Sequence, residues 1–299
     1  MALPALSVTV TLFTVASEDD IGQTPTLRSL VMLGDSGHQG FGTGLFCVTR
    51  SSNNTEAGQA PRSGKRVLPA TLVTPTERVA DSATRVLRDE LGVEEFGRLR
   101  YTRIFDDPAR GDIADAGRSI SFAFWAFAPF DSLAPVLGGR DKVGLELVSS
   151  SRLLDEWGEK LVDYDGVSRF GLRENPRGPS GHRSRLSREL HGDTILDSDH
   201  DDMVFYSWRM LRYAFAGKLD PFRYLGTRVL GEKFRLSDLR ELSDVSRGER
   251  VQPDHFRRTL TSDDSFVQEA GEVDRTRPGK PASLYTLKDW AQPSTDSNL

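Results

Sequence analysis

The segment from Leu68 to Val93 carries side chains of the types found at magnesium and phosphate sites. Asp89 and Glu90 follow Val86 by three and four residues, a spacing that puts all three on one face of an α-helix. Magnesium takes oxygen ligands and commonly bridges protein carboxylates to substrate phosphates. Asp89 and Glu90 are therefore candidate metal ligands, whereas Val86 offers neither a ligand nor a base.

The same segment resembles the Nudix box, G-x5-E-x7-R-E-U-x-E-E-x-G-U, in which U is apolar. The matching positions are Glu77, Arg85, Leu87, Asp89, Glu90, Gly92 and Val93. Thr71 stands in place of the opening glycine, and Val86 replaces the first glutamate of the core. The resemblance implies a nucleotide-binding helix at Pro75–Leu91, with Glu77 and Arg85 among the ligand-binding residues and hydrolysis lost. The alternative is an ordinary amphipathic helix that turns its apolar residues inward.

The elements that must position this helix are mostly strands. β-Branched or apolar runs predict strands at 8–15, 29–33, 45–49, from 67, at 99–105 and at 120–128. The glycine-rich stretch 34–44 predicts a flexible hairpin between the second and third of these strands. The run 120–128 is apolar enough to be buried on both faces. Strands combined with one such helix predict an α/β sandwich rather than a barrel.

A second resemblance, to Nudix-type ADP-ribose binders, lies between the last two predicted strands. In those proteins a segment like DPxRDPRGR precedes a strand that begins with IS. Here Asp107, Pro108 and Arg110 match the first half, and the run 118–121 matches the second. Arginine binds phosphate oxygens in a bidentate manner, so Arg110 and Arg118 are candidates for a ligand diphosphate. The alternative is a polar hairpin with solvated charges.

The C-terminal sequence has the layout helix, turn, helix, strand, basic loop, strand. Ser237 is the expected N-cap of the first helix, and Pro253 begins the second, which buries Phe256 and Leu260. The strands are predicted at 266–268 and 283–287. This order indicates a winged helix-turn-helix, with the second helix in the major groove and the wing on phosphates. A small helical adaptor that binds protein has the same layout.

The C-terminal segments FRLSDLRELSDVSRGERVQPDHFRRTL and RPGKPASLYTL resemble the DNA-binding domain of the Nudix-related regulators of the NrtR type. That resemblance implies a homodimer on a palindromic operator. The residues it implies for DNA binding are Ser237, His255, Arg257, Arg258, Arg275, Arg277 and Lys280.

Composition restricts the alternatives. The 299 residues carry a net charge of -5, so DNA contact requires a local basic patch. The single cysteine, Cys47, excludes an intramolecular disulfide and favours the cytoplasm. No apolar run approaches the roughly 20 residues that span a bilayer, and the N-terminus lacks the features of a signal peptide.

Together these observations predict an α+β protein with a Nudix-like α/β/α sandwich on a mixed sheet and a C-terminal winged helix domain. The expected divisions are a sensing domain (1–148), an insertion (149–195), a linking helix (196–230), the winged helix domain (231–290) and a disordered tail (291–299). The predicted function is a transcriptional regulator that responds to ADP-ribose or a related nucleotide and controls NAD- or sugar-related genes. No cofactor is required, although Mg²⁺ could accompany the nucleotide. An active ADP-ribose pyrophosphatase using Glu77, Asp89 and Glu90, or a protein-binding adaptor, are the alternatives.

Overall fold

The architecture is taken from a computed structural model. It describes residues 4–17, 31–32, 43–51, 66–106, 118–137, 145–149, 196, 199–216, 230–247, 251–262, 265–275 and 280–288. The predicted insertion at 149–195 and the predicted tail at 291–299 therefore lie almost entirely outside the described residues. No helix within these ranges is long and apolar enough to cross a membrane.

In the described residues, eight strands of the N-terminal part form one mixed sheet. They are β1 (Ala5–Ser17), β2 (Val31–Met32), β3 (Thr43–Ser51), β4 (Arg66–Val67), β5 (Ala70–Leu72), β6 (Arg100–Phe105), β7 (Ser119–Phe127) and β8 (Leu145–Ser149). The order across the sheet is β2-β8-β3-β1-β7-β6, with β4 beside β3 and β5 beside β1. β1 runs parallel to β7 and antiparallel to β3, which makes the sheet mixed, as predicted.

The predicted hairpin between the second and third strands is wrong. β8 lies between β2 and β3, pairing with β2 in parallel and with β3 antiparallel. Turn-forming residues indicate where a chain can reverse, but strand partners are chosen by packing over long sequence separations. The glycine-rich stretch itself lies outside the described residues up to position 42.

Five described helices accompany the strands. They are α1 (Val79–Arg85), which continues as a π-helical turn (Val86–Glu90), α2 (Phe130–Leu137), α3 (His200–Ala216), α4 (Leu236–Arg247) and α5 (Pro253–Leu260). α1 begins four residues later than predicted, because Pro75 and Thr76 form a turn before it. Its closing turn is wider than an α-turn: the Leu91 N–H donates to the Val86 carbonyl at 3.0 Å.

Alternation along β1 divides the sheet into two faces. Val8, Val10 and Leu12 pack in one core with α1, its π-turn and α2. Phe13, on the opposite face, packs in a second core with α3. Helices on both faces of the sheet give the predicted α/β/α sandwich. Cys47 is buried in the second core, as expected for a thiol that acts as a small hydrophobic group.

Helix α3 packs both on the sheet and on the C-terminal unit. Its apolar residues share a core with Phe13 of β1 and with Leu242 of α4, and Val245 of α4 packs against the same core. Its first residue, His200, is buried, and the Nδ1 atom accepts a hydrogen bond from the Leu68 N–H at 2.9 Å. The segment that opens the Nudix-like motif is thus attached to the start of the helix that contacts α4.

The C-terminal unit has its own small core. α4 and α5 are followed by the antiparallel strands β9 (Val267–Asp274) and β10 (Ala282–Leu287). Phe234, Leu239, Leu260 and Tyr285 belong to this core, with Phe256 partly buried against it. Two helices and a two-stranded wing confirm the predicted winged helix fold, although β9 runs six residues past the predicted strand end.

The His200 hydrogen bond gives the first testable prediction. His200→Ala would leave the buried Leu68 N–H without its acceptor and remove packed atoms, so we expect the free energy of unfolding to fall by about 2–4 kcal/mol. His200→Asn, whose side-chain oxygen can take the place of Nδ1, should recover part of the loss. The exposed His255→Ala is the control of the same residue type and should cost less than about 0.5 kcal/mol. Equal losses of unfolding free energy in the two alanine variants, measured by denaturant titration, would contradict a stabilising role for the His200–Leu68 hydrogen bond.

Candidate functional site

Arg85 is the centre of the Nudix-like motif. Its guanidinium donates to Glu77 through Nε and Nη2, both at 3.0 Å, and to the Leu72 carbonyl at 2.9 Å. The Nη1 atom donates to the Thr71 hydroxyl at 3.0 Å and to Glu90 at 3.3 Å. A guanidinium has five N–H donors, and these contacts use all five. Arg85 therefore holds the motif together, while direct contact of Arg85 or Glu77 with a ligand stays a prediction.

Two motif positions have clear backbone roles. Thr71, in place of the opening glycine, lies in β5 opposite Val8 of β1, where extended backbone needs no glycine. Its hydroxyl accepts one of the Arg85 donors. Gly92 has a φ of 74°, the left-handed conformation that commonly ends a helix, and the next N–H, of Val93, donates to the Leu87 carbonyl at 2.8 Å.

The expectation that Val86, Asp89 and Glu90 share one helix face is wrong. Val86 is fully buried in the core beneath α1, Asp89 is exposed, and Glu90 is half-buried. The spacing rule assumes 3.6 residues per turn, whereas the π-turn at 86–90 takes more residues per turn and so rotates later side chains to other directions. Position 86 thus lies among apolar residues rather than beside the two carboxylates.

Glu90 is held between two arginines. Its Oε1 accepts from Arg85 at 3.3 Å, and its Oε2 accepts from Arg50 at 3.2 Å. Arg50, near the end of β3, was not identified from the sequence, although it is the basic residue that follows the apolar run GLFCVT. Guanidinium groups on both oxygens oppose a divalent cation at the same carboxylate.

The fit of magnesium to this group is accordingly poor. Among the described residues there is no group of three or more His, Cys, Asp or Glu side chains that could hold a metal ion. Asp89 is exposed, and Glu90 would have to leave two ion pairs to join it. These residues therefore do not fit a magnesium ion as they stand, and the predicted Asp89–Glu90 ligand pair stays a prediction.

The two arginines predicted to bind the diphosphate, Arg110 and Arg118, are not seen to join the Arg85 group in the part of the chain that the structure describes. Arg118 is exposed directly before β7, and its carbonyl accepts from the Ala5 N–H at 3.0 Å. Within the described residues, no hydrogen bond joins Arg118 to the Arg85 group. Arg110 lies outside the described residues. Their roles as phosphate ligands stay predictions.

In the C-terminal unit, α5 presents a basic face to solvent. Phe256 and Leu260 pack inward, while His255, Arg257 and Arg258 are exposed, as the sequence predicted. An amphipathic helix of this kind leaves its cations available to a partner because apolar residues fix its opposite side.

A buried carboxylate positions the turn before α5. Asp244 of α4 is 3% exposed and accepts a hydrogen bond from the Val251 N–H at 2.8 Å. Its other oxygen pairs with Arg240, one helical turn earlier, at 3.4 Å. Pro253 then begins α5 at a position where a backbone donor is not needed. Asp244, which was not identified from the sequence, thereby connects α4 to the residues that lead into α5.

The acidic strand β9 is tied to the start of α4. Glu272 pairs with Lys233 at 2.6 Å, and Asp274 accepts from Arg235, whose Nε lies 2.7 Å away. Burial and a hydrogen bond to Glu269 raise the pKa of Tyr285 above its ordinary value, so its hydroxyl remains a donor. These contacts neutralise much of the wing's negative charge and anchor it beside the helices.

The remaining predicted DNA-binding residues surround this wing. Arg275 and Lys280 are exposed at the ends of β9 and β10, and Arg277 lies outside the described residues. Ser237 is exposed but is not the N-cap: α4 begins at Leu236, and the Arg235 carbonyl accepts the first helical hydrogen bonds. None of these contacts tests DNA binding, which stays a prediction for each residue.

The Glu77–Arg85 pair predicts a pH dependence of stability. Hydrogen bonds from Arg85 lower the pKa of Glu77 from 4.5 to about 2, against the opposing effect of burial. Because the folded-state pKa is lowered, the stabilisation is complete above pH 4.5 and disappears as the pH falls towards 2. We expect Glu77→Gln to lose about 1–3 kcal/mol of unfolding free energy at pH 6, a difference that shrinks through this window. The exposed Glu94→Gln is the control, and a pH-independent loss in Glu77→Gln would contradict the assignment.

Comparison with known sequences identifies the C-terminal unit. Residues 226–287 match the family described as the NrtR DNA-binding winged helix domain. No curated protein sequence matches the chain significantly.

Comparison with solved structures covers nearly the whole chain. NrtR of Shewanella oneidensis complexed with a 27mer DNA is 18% identical, with a TM-score of 0.57, over 95% of this chain and 93% of that chain. The same protein solved separately gives a TM-score of 0.56 at 17% identity, over 95% and 94%. A MutT/nudix family protein from Enterococcus faecalis gives 0.55 at 16% identity, over 96% of this chain and 88% of its own. At these identities the similarity shows the fold. The C-terminal unit therefore matches the NrtR winged helix domain family, and the chain as a whole shares the fold of these solved structures.

Proposed function

We propose that this protein is a DNA-binding transcriptional regulator that responds to a nucleotide. The basic solvent face of α5, formed by His255, Arg257 and Arg258 in a family described as DNA-binding, is the observation that carries the proposal. A helix of this kind places arginines where they can bind base edges, and Arg275 and Lys280 of the wing suit phosphates. The S. oneidensis NrtR structure contains a 27mer DNA, which supports the same use of the fold here.

The N-terminal domain supplies the sensing part of the proposal. ADP-ribose or a related nucleoside diphosphate is the proposed effector, on the resemblance of the Nudix box and of the segment around Arg110 and Arg118. α3 supports a coupling between the two domains because it shares one core with the sheet and with Leu242 of α4. If α3 has two positions with different DNA affinities, a ligand that binds the protein more tightly in one position shifts the population towards it. The DNA affinity then changes by an amount set by the ligand's preference between the two positions.

The remaining parts of the proposal follow from symmetry and from the family. A homodimer on a palindromic operator matches two recognition helices to two half-sites. The proposed targets are genes of NAD or sugar metabolism. A regulator acts where the chromosome lies, so cytoplasmic location belongs to the same proposal.

The DNA-binding assignment is tested by removing the two arginines of α5. Arg257→Ala combined with Arg258→Ala should weaken retention of a footprinted promoter fragment by at least about 30-fold in a gel shift, because each contact contributes roughly 1–3 kcal/mol. The matched control, Arg78→Ala with Arg88→Ala, removes the same charge from exposed sites of the N-terminal domain. Unchanged retention in the α5 variant would exclude this interface and favour the protein-binding adaptor. Equal losses in both double variants would indicate a general charge effect.

We further propose that the Nudix-like domain does not hydrolyse its ligand. Val86 occupies the apolar core, Glu90 is paired with two arginines, and only Asp89 projects to solvent. Among the described residues, this group offers no carboxylate cluster of the kind that activates water through a divalent metal.

Restoring the absent glutamate tests this proposal. Val86→Glu would bury a carboxylate without a partner, and we expect it to lower the free energy of unfolding by at least about 3 kcal/mol without giving turnover of ADP-ribose in magnesium. Val86→Ile, which keeps the apolar contacts, is the control and should cost under about 1.5 kcal/mol. Turnover by the wild-type protein at ordinary enzyme rates, about 1–10³ per second, would instead establish the pyrophosphatase alternative.

A further inference from the structure

Arg50 and Arg85 use their donors very differently. All five N–H donors of Arg85 are bound within the chain. Arg50 has one ion pair, from Nη2 to Glu90, and its buried Nε has no hydrogen-bond partner among the described residues. Its side chain is only 15% exposed. An unpaired buried donor of a charged group is costly, so Arg50 is less fully satisfied than Arg85, and an anion bound at its partly exposed side chain would stabilise the charge.

The position of Arg50 is suited to a ligand. It follows Phe46 and Val48 at two-residue spacing on β3, so it lies on the sheet face covered by α1. Glu90 bridges it to Arg85, with one carboxylate oxygen on each guanidinium, at 3.2 and 3.3 Å. The side chains of these three residues are 15–29% exposed, so solutes can reach them. Guanidinium groups bind phosphate oxygens with the same bidentate geometry that they use for carboxylates, and a diphosphate carries more negative charge than a carboxylate.

We propose that Arg50 is a phosphate-binding cation of the Nudix-like domain, and that Glu90 is an internal anion displaced by a diphosphate group without a metal. The ligand class is a diphosphate, either free or within a nucleotide. This inference rests on the proposed nucleotide sensing, but it assigns the binding residue and reverses the expected role of Glu90. If Glu90 is a competitor, removing its charge strengthens binding. If Glu90 is a metal ligand, the same change weakens binding.

The test is calorimetric titration of the full chain with ADP-ribose and, separately, with inorganic pyrophosphate, each in EDTA and in magnesium. We expect wild-type binding in EDTA, a loss of at least about tenfold in Arg50→Gln, and tighter binding in Glu90→Gln. Arg50→Lys keeps the charge without the planar fork and should be intermediate. The exposed Arg88→Gln is the matched control and should bind like wild type. Thermal midpoints of every variant separate lost binding from lost folding.

Each outcome bears on the proposal. Binding of both ADP-ribose and pyrophosphate supports a site that recognises the diphosphate group by itself. Binding of ADP-ribose alone supports a site that recognises the diphosphate only as part of a nucleotide. Magnesium-dependent binding weakened by Glu90→Gln, unchanged affinity in folded Arg50→Gln, or no binding of either probe would overturn it. Gel shifts with the same preparations report DNA binding separately, so failure of the DNA-binding proposal is distinguishable from failure of this one.

Discussion

The N-terminal site depends on the hydrogen bonds and ion pairs of the Arg85 guanidinium. It joins β5, the turn that carries Glu77, the end of α1 and, through Glu90, Arg50 on β3. Because these elements are separated in sequence, the network converts a linear motif into one local structure. This explains how the motif can keep Glu77, Arg85 and Glu90 when position 86 is apolar, since a bidentate arginine pair stabilises the fold whether or not catalysis occurs.

The second constraint is the use of both faces of one sheet. One face carries α1 and the Arg85 network, and the other carries α3, whose core extends to Leu242 of α4. The His200–Leu68 hydrogen bond connects the α3 side to the segment that leads into β5. The proposed effector site and the winged helix domain are therefore connected by packed and hydrogen-bonded groups, which can carry energetic coupling between two sites.

In the winged helix domain, carboxylates serve positioning rather than binding. Asp244 fixes the turn before α5, and Glu272 and Asp274 hold the wing against Lys233 and Arg235. Pairing these acids within the domain reduces their repulsion of a polyanion while α5 keeps its own arginines exposed. A chain with a net charge of -5 can in this way present a local basic surface.

The sequence by itself determined the parts governed by local rules. β-Branched and apolar runs predicted most of the strands, although not β8. Helical spacing placed Phe256 and Leu260 inward and Arg257 and Arg258 outward, and the motifs predicted both the Nudix-like and winged helix domains. Only the tertiary structure decided that β8 separates β2 from β3, that α4 begins at Leu236, and that Arg50 joins Glu90. It also decided that Asp89 and Glu90, which follow in the π-turn, do not share the buried surroundings of Val86. Strand partners, helix ends and ion pairs depend on contacts between residues far apart in sequence, which local spacing does not encode.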